Sequence, residues 1–360
     1  MSLDIFRGIT IATMITVNDP GIEEHVYAPL EHAKWNGITP TDFVFPSFIF
    51  IVGVSVALSY SRQVANAVPK GKMIRKTLRR AATMFVLGVF LSILPYFDLK
   101  ELRIPGVLQR ISIVYTASVL LFLYTTWKTQ ARLAAILLIG YCLVMTVVPV
   151  PGVGHSVLEP GNNLAAWLDR IVIPGRMWQG TWDPEGVLST FPAIATGILG
   201  LLTGHLLNAP LTPERKSLNL FLGGFISFAL ANAWNWFFPL NKNLWTSSFV
   251  LYVGGIDAML LASLYYLIDI LGYKKFTGWA LIFGSNAIAA YLTAEFFSDV
   301  LLFKWGGREN GTNINEWIIG KLLPSGISPE FLSFAWALAF TALCFVPIYV
   351  LYRKKIFLKL

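Results

Sequence analysis

The chain alternates long apolar runs with short polar and charged breaks. Ten of the runs approach the roughly 20 residues a helix needs to cross about 30 Å of hydrocarbon. They cover approximately 3 to 18, 43 to 60, 79 to 96, 104 to 126, 132 to 150, 187 to 207, 218 to 238, 247 to 271, 279 to 303 and 331 to 352. An even number puts both termini on one face, so the pattern predicts an all-α polytopic membrane bundle of about ten transmembrane helices, one domain over residues 1–360. The first run is short: 16 residues rising 1.5 Å each span about 24 Å. Asn18 is therefore expected to stop below the surface, and the segment after it to dip back inward. Irregular sequence concentrates on that side, in residues 19 to 42, 151 to 186 and 304 to 330, and function is expected there.

Composition sharpens the class. Of the residues 55% are hydrophobic and 13% charged, more apolar surface than a soluble chain of this length hides. Cys142 and Cys344 both sit inside apolar runs and read as packing residues, not a disulfide. Asp4 and Arg7 fall at the very start and no small-residue cleavage site follows, so the first run is expected to stay as a helix. The net charge of +8 raises nucleic acid as a partner, but the charges lie between apolar runs and read as topology. Arg7, the basic stretch Arg62 to Arg80, Lys128, Arg132, Arg215, Lys216, Lys274, Lys275, Arg353, Lys354, Lys355 and Lys359 fall on the face of the termini. Fewer, namely Lys34, Lys100, Arg103, Arg110, Arg170, Arg176, Lys242, Lys304, Arg308 and Lys321, fall on the other. Lys and Arg favour the inner face, which makes both termini cytoplasmic. The Arg62 to Arg80 stretch also suits an anionic lipid or ligand.

Polar groups at membrane depth demand a reason. Glu31, His32, Lys34, Trp35, Asn36, Thr39 and Asp42 crowd the segment that runs into the second helix. Histidine exchanges protons near neutral pH, and a neighbouring carboxylate, Glu31 or Asp42, would fix its tautomer. A histidine satisfied by loop backbone is the plainer alternative, and residue chemistry leaves both open. Asp4 and Arg7 stand at i, i+3, the spacing of a simple pair. Arg103, Gln109 and Arg110 flank the start of the fourth run, where Arg110 calls for a carboxylate or phosphate partner. Asp183 and Glu185 precede the sixth run, where they also suit a helix N-terminus. Asn241, Lys242, Asn243 and Trp245 precede the eighth, and Asn286 and Glu295 lie on the ninth. His25, His155 and His205 show no zinc-ligand spacing, so no metal is expected. A G-x-S-x-G elbow, a P-loop and a dinucleotide fingerprint are all absent from the sequence, which excludes the enzymes that depend on them.

Several segments carry a specific likeness: SLDIFRGITIATMITVNDPG, LEHAKWNGITPTDFVFPSFIFIVG, RIPGVLQR, DPEG, NKNLW and the terminal LYRKKIF. In this order, and spread over nearly the whole chain, they resemble the heparan-alpha-glucosaminide N-acetyltransferase family, including its bacterial relatives. The resemblance implies an enzyme of a bacterial inner membrane that moves acetyl from cytoplasmic acetyl-CoA to the amino group of a glucosamine on the other side. It implies that His32, in the HAxWNG motif, is catalytic, that Asn18 lies beside it, and that the protein forms a homodimer. Animal lysosomal members carry a luminal N-terminal domain not found in this sequence, which points to a smaller amino sugar or a cell-wall fragment as acceptor.

An amine must lose a proton before it attacks a thioester, so a base is required. His32 is expected in that role, with Asn18 donating to the developing oxyanion and Asp42 or Glu31 orienting the ring. A covalent acetyl-histidine is the rival chemistry. For the acceptor sugar the candidates are Trp35, Asn36, Asp183, Glu185, Asn241, Lys242, Asn243, Asn286 and Glu295, with Trp178 and Trp182 as further stacking platforms. For acetyl-CoA they are Asp4, Arg7, Arg103, Gln109 and Arg110. Membrane lipid is the remaining partner. A permease for amino sugars, with no chemistry, uses the same ingredients and stays open.

Overall fold

A computed structural model describes residues 1–94, 97, 99, 102–302 and 314–358. Lys100, Lys304, Arg308 and Lys359, assigned to faces from the sequence, lie outside these residues, as does the stretch 304–313. The described residues form helices α1 (Ser2–Asn18), α2 (Val44–Ala65), α3 (Lys70–Leu91), α4 (Val107–Tyr124), α5 (Trp127–Val147), α6 (Leu164–Val172), α7 (Thr190–Asn208), α8 (Pro213–Asn235), α9 (Ser247–Leu264), α10 (Gly278–Ser285), α11 (Ala287–Leu302), α12 (Ile314–Leu322) and α13 (Pro329–Arg353). Among the described residues, seven spans are long and apolar enough to cross a membrane: α2 with the turn before it, α4, α5, α7, α8, α9 with its π-helical extension to Ile270, and α13. The protein is an integral membrane protein. Its apolar outer surface agrees: α8 exposes Leu218, Phe221, Phe225 and Leu230, and α13 exposes Leu338, Leu343 and Val346. In water such faces would be buried; lipid accepts them.

Each of the ten predicted runs holds helix, but ten spans are not reached: α1 and the basic α3 are outside the seven, and the ninth run makes an eighth only if its bent pair counts as one span. Three differences of shape stand out. The ninth is not a straight rod, because α10 and α11 meet at an 85° bend. Asn286, at the bend, leaves the helical region (φ −134°, ψ 43°), and the Ser285 hydroxyl donates to the Ile282 carbonyl at 2.7 Å, a local bond that competes with the helical ladder. The third begins at Lys70, nine residues before its apolar run, so its first half is basic and its apolar half short. Short α6 and α12 occupy stretches the sequence reads as irregular; α6 is amphipathic, but both are shorter than the window over which apolar period separates helix from loop. The segment after Asn18 is fastened to the start of α13: Gly21 N donates to Ser333 O at 3.2 Å, and Ile22 N to Ser333 Oγ at 3.0 Å.

Glycine permits the closest helix contacts, the usual device where apolar lipid offers no drive for association. A Cβ on Gly53 would collide with the Gly197 carbonyl oxygen, and one on Gly200 with that of Phe50, so α2 and α7 touch backbone to backbone. Gly8 and Gly284 do the same for α1 and α10. Both chain ends meet at the bend: Arg7 Nη1 donates to Gly284 O at 3.2 Å, and Asn286 accepts from Leu358 N at 2.9 Å and donates to Ile356 O at 3.0 Å. This end of the bundle is the terminal end. Segment 19–42, the 148–189 connection and the turn 236–246 lie at the opposite, loop end.

Candidate active site

The loop end gathers His32, Asp42 and Lys242. Segment 31–43 is built to aim Asp42. Thr39 caps a single helical turn, Pro40–Phe43; its N–H donates to Asp42 Oδ2 at 3.0 Å, while its hydroxyl, whose proton goes to the Glu31 carbonyl, stands 3.1 Å from the same oxygen. Ala33 N adds a second bond at 3.1 Å. Gly37, at φ +109° where L side chains are strained, turns the chain so that its N–H donates to Leu240 O at 2.8 Å. The remaining oxygen, Oδ1, accepts from His32 Nδ1 at 2.7 Å. Asp42 is 1% exposed and His32 49%. A carboxylate fixed by two backbone donors and presented to one ring nitrogen holds the Nδ1–H tautomer and leaves Nε2 with its lone pair, the arrangement of an oriented general base.

Lys242 arrives from a rigid turn. Asn241 accepts from Leu244 N through Oδ1 at 2.8 Å, and its own N–H donates to Thr246 Oγ1 at 3.0 Å. Trp245 takes φ +53°, a conformation held in place by its burial, by its indole N–H donating to Thr196 Oγ1 at 3.1 Å, and by T-shaped contacts with Phe45 and Phe249. The Lys242 ammonium lies 3.1 Å from His32 Nδ1, 3.5 Å from Nε2 and 3.5 Å from Asp42 Oδ1. Burial pushes the Lys242 amine below the usual lysine range, opposed by Asp42 and, more distantly, Glu185.

Beside this cluster Arg103 forks onto Asp183, with Nε to Oδ2 at 2.8 Å and Nη2 to Oδ1 at 2.6 Å, and also holds Glu185. Its guanidinium faces the Trp178 ring at 5.0 Å. Asp183 is shielded from water, yet Arg103 and two backbone donors hold its carboxyl below the usual carboxylate range. Asp169 lacks a cation of its own, and burial pushes it up to about 6. The loop before α7 is thus locked chiefly by the ion pairs of Arg103 with Asp183 and Glu185.

A second feature lies toward the terminal end: a cavity of about 580 Å³ between α1, α2, α3, α4, the α10–α11 bend and the tail. Asp4, Arg7, Ser55, Ser59, Tyr60, Arg80, Tyr115, Phe357 and Leu358 line its terminal half, and Phe45, Val107 and Tyr291 are among its other lining residues. Arg7 pairs with Asp4 at 3.2 Å and donates to Ser55 Oγ at 2.8 Å. Tyr60 bonds Thr77 at 2.5 Å and Tyr115 at 3.0 Å, and Arg80 stands over the Tyr115 ring. Arg80, the last residue of the basic stretch, is a wall residue that the sequence does not set apart from its basic neighbours; its place at the border of the basic and apolar halves of α3 is the available signal.

Other sequence candidates are placed differently from expectation. The carboxylate on His32 is Asp42, whereas Glu31 joins through its backbone carbonyl, which accepts from Thr39 Oγ1 at 2.6 Å. Asn18 closes α1, exposed, and no hydrogen bond links it to His32. Arg103, Gln109 and Arg110 sit at the loop end and do not join Asp4 and Arg7 on the cavity wall. Gln109 is buried against Gly88 and Gly106. Arg110 has no carboxylate within hydrogen-bond reach among the described residues; its Nη2 donates to Gly186 O at 3.0 Å and Ser189 Oγ at 2.5 Å, its guanidinium faces the Trp245 ring at 5.0 Å, and its buried Nε and Nη1 have no protein partner. Asn36 and Asn241 bond each other at 3.1 Å, and Asn243 lies half-buried beside Lys242. Asn286 is occupied by the tail, and Glu295 accepts from the Tyr291 hydroxyl. Trp35 donates to Leu158 O at 2.9 Å and packs edge-on against Trp182. No group of three or more His, Cys, Asp or Glu among the described residues is arranged to hold a metal ion.

Comparison with known proteins agrees with the likeness read from the motifs. The profile of a family described as "Heparan-alpha-glucosaminide N-acetyltransferase, catalytic" matches residues 1–169. The human heparan-alpha-glucosaminide N-acetyltransferase is 29% identical over 417 aligned positions, covering 100% of this chain and 59% of the human protein. Its mouse counterpart is 28% identical, covering 99% of this chain and 60% of its own length. The chain therefore spans about three-fifths of these relatives.

Proposed function

We propose that this protein is a transmembrane acetyltransferase that takes acetyl from acetyl-CoA at the terminal, cytoplasmic end and delivers it to the amino group of a glucosamine-type sugar at the loop end. The observation that carries the reading is the 2.7 Å contact of His32 Nδ1 with the fixed Asp42 carboxylate, which leaves Nε2 as a base. Asp42 is the orienting group in this scheme. The cavity supports the donor half, since its volume suits a small-molecule site, and Arg7 and Arg80 would meet the phosphates of the nucleotide while the pantetheine arm follows the apolar walls. The names of the relatives supply the acceptor class.

In this scheme the sugar amine attacks the thioester carbonyl directly, Nε2 of His32 takes the amine proton, and coenzyme A leaves as thiolate. Asn18 is retained as the candidate oxyanion donor, on the family likeness alone. The test is release of free coenzyme A by purified protein with and without glucosamine. Release is expected to need the amine and to fall by about 10²–10⁴-fold in His32→Ala. Amine-dependent release that survives the substitution would remove His32 as base, and no release with any amino sugar would favour a permease.

A further inference from the structure

We propose that Lys242 is itself an acetyl acceptor, modified by the protein's own chemistry when no amine substrate is bound. The inference rests on the acetyltransferase reading above and adds a modification site to it. A general base that deprotonates an incoming amine will deprotonate any amine held in the same relation to it. Lys242 Nζ lies 3.5 Å from Nε2, the nitrogen that keeps its lone pair, and 3.1 Å from Nδ1, whose proton goes to Asp42, and among the described residues no other lysine is hydrogen-bonded to that ring.

Three further observations support it. The turn that carries Lys242 is pinned by Asn241, Trp245 and Thr246, so the amine is presented by rigid backbone and does not arrive by chance. Its side chain is 20% exposed, enough for a reactant to reach it. Burial also favours its neutral, nucleophilic form; the charged groups facing it are Asp42 and His32 from the 31–43 segment and Glu185 from the loop before α7.

The step balances without any further reactant. The Nζ lone pair bonds to the thioester carbonyl carbon, and the carbon–sulfur bond breaks with its electrons on sulfur. The Nζ proton passes to His32 and then to water, and water protonates the coenzyme A thiolate. Lysine and acetyl-CoA thus become N-acetyl-lysine and coenzyme A.

The experiment incubates the purified full chain with isotopically labelled acetyl-CoA and no amine, and follows each lysine by peptide mass spectrometry. Amine-dependent coenzyme A release is measured on the same preparation. Exposed Lys34 and Lys128 report uncatalysed acetylation in the same sample, so the comparison does not depend on a folded variant. Lys242 is expected to label at least tenfold faster than either, and to drop to their rate in His32→Ala. If Lys242 labels no faster than they do while glucosamine still releases coenzyme A, the self-acetylation is wrong and the acetyltransferase stands. If neither labelling nor release occurs, both fall. Labelling of Lys242 without amine-dependent release would uphold the modification and remove the sugar acceptor.

Discussion

The two ends of the bundle differ in what they are made of. At the loop end the charged groups come from irregular chain, and they satisfy one another: His32 and Lys242 on Asp42, Arg103 on Asp183 and Glu185. At the terminal end the polar groups stand on helices α1, α2, α3 and α4 around a cavity with largely apolar walls. Pre-paired charges hold a geometry before any ligand arrives, which suits the making and breaking of bonds. Helical walls with a few cations suit the grip of a long anion. On our reading the reaction is divided in the same way, with chemistry at one end and donor binding at the other.

Substitutions that separate the ends should therefore fail differently. The largest effect is expected from Asp42→Asn, which removes the fixed acceptor of Nδ1 and permits the wrong tautomer. Turnover should fall by roughly 10²–10⁴-fold with little change in KM for acetyl-CoA. Glu31→Gln, whose side chain does not touch the ring, should stay within about twofold. Equal losses in the two variants would show that Asp42 has no special relation to His32.

Arg103→Ala tests the other loop-end network. It strands a buried Asp183 carboxylate, and breaking such a pair typically removes about 3–5 kcal/mol. A thermal midpoint close to that of the parent would mean that water enters and rehydrates the loop. On the terminal side, Arg7→Ala should act on binding alone, raising KM for acetyl-CoA by roughly tenfold, or about 1.4 kcal/mol, with kcat little altered. A fall in kcat without a change in KM would put Arg7 in the wrong half of the account.

How far the sequence anticipates this division depends on the element. Apolar period and length locate the helices, because lipid imposes one requirement on every spanning segment. The 85° bend between α10 and α11 is not visible in hydropathy, since Gly284, Ser285 and Asn286 interrupt the run too briefly. His32, Asp42 and Lys242 stand out as polar residues in unusual company, but their meeting joins segments about 200 positions apart in the chain, which no local pattern encodes. Arg110 shows the limit from the other side. A buried guanidinium needs a partner, yet the protein groups on Arg110 are a carbonyl, a hydroxyl and an indole face, all uncharged, and they leave Nε and Nη1 unmet.

The smallest expected effect concerns pH and again contrasts two carboxylates of the loop end. Asp169, pushed up to about 6 by burial, binds more protons folded than unfolded between about pH 4 and pH 6, taking an ordinary unfolded value near 3.9. Its contribution to stability therefore falls as pH rises through that window. Asp183, held below its ordinary range by Arg103, has the opposite sign: its contribution is present above about pH 4 and is lost as pH falls further. Melting curves of Asp169→Asn across pH 4 to 7 should be flatter than those of the parent. Parallel curves would mean that Asp169 titrates alike in both states.

Proteoliposomes with the two substrates on opposite faces separate donor binding from chemistry. With acetyl-CoA supplied only on the face of the termini and glucosamine only on the opposite face, the account predicts N-acetylglucosamine on the glucosamine side and free coenzyme A on the other. Product formed only when both reactants share one side would contradict it.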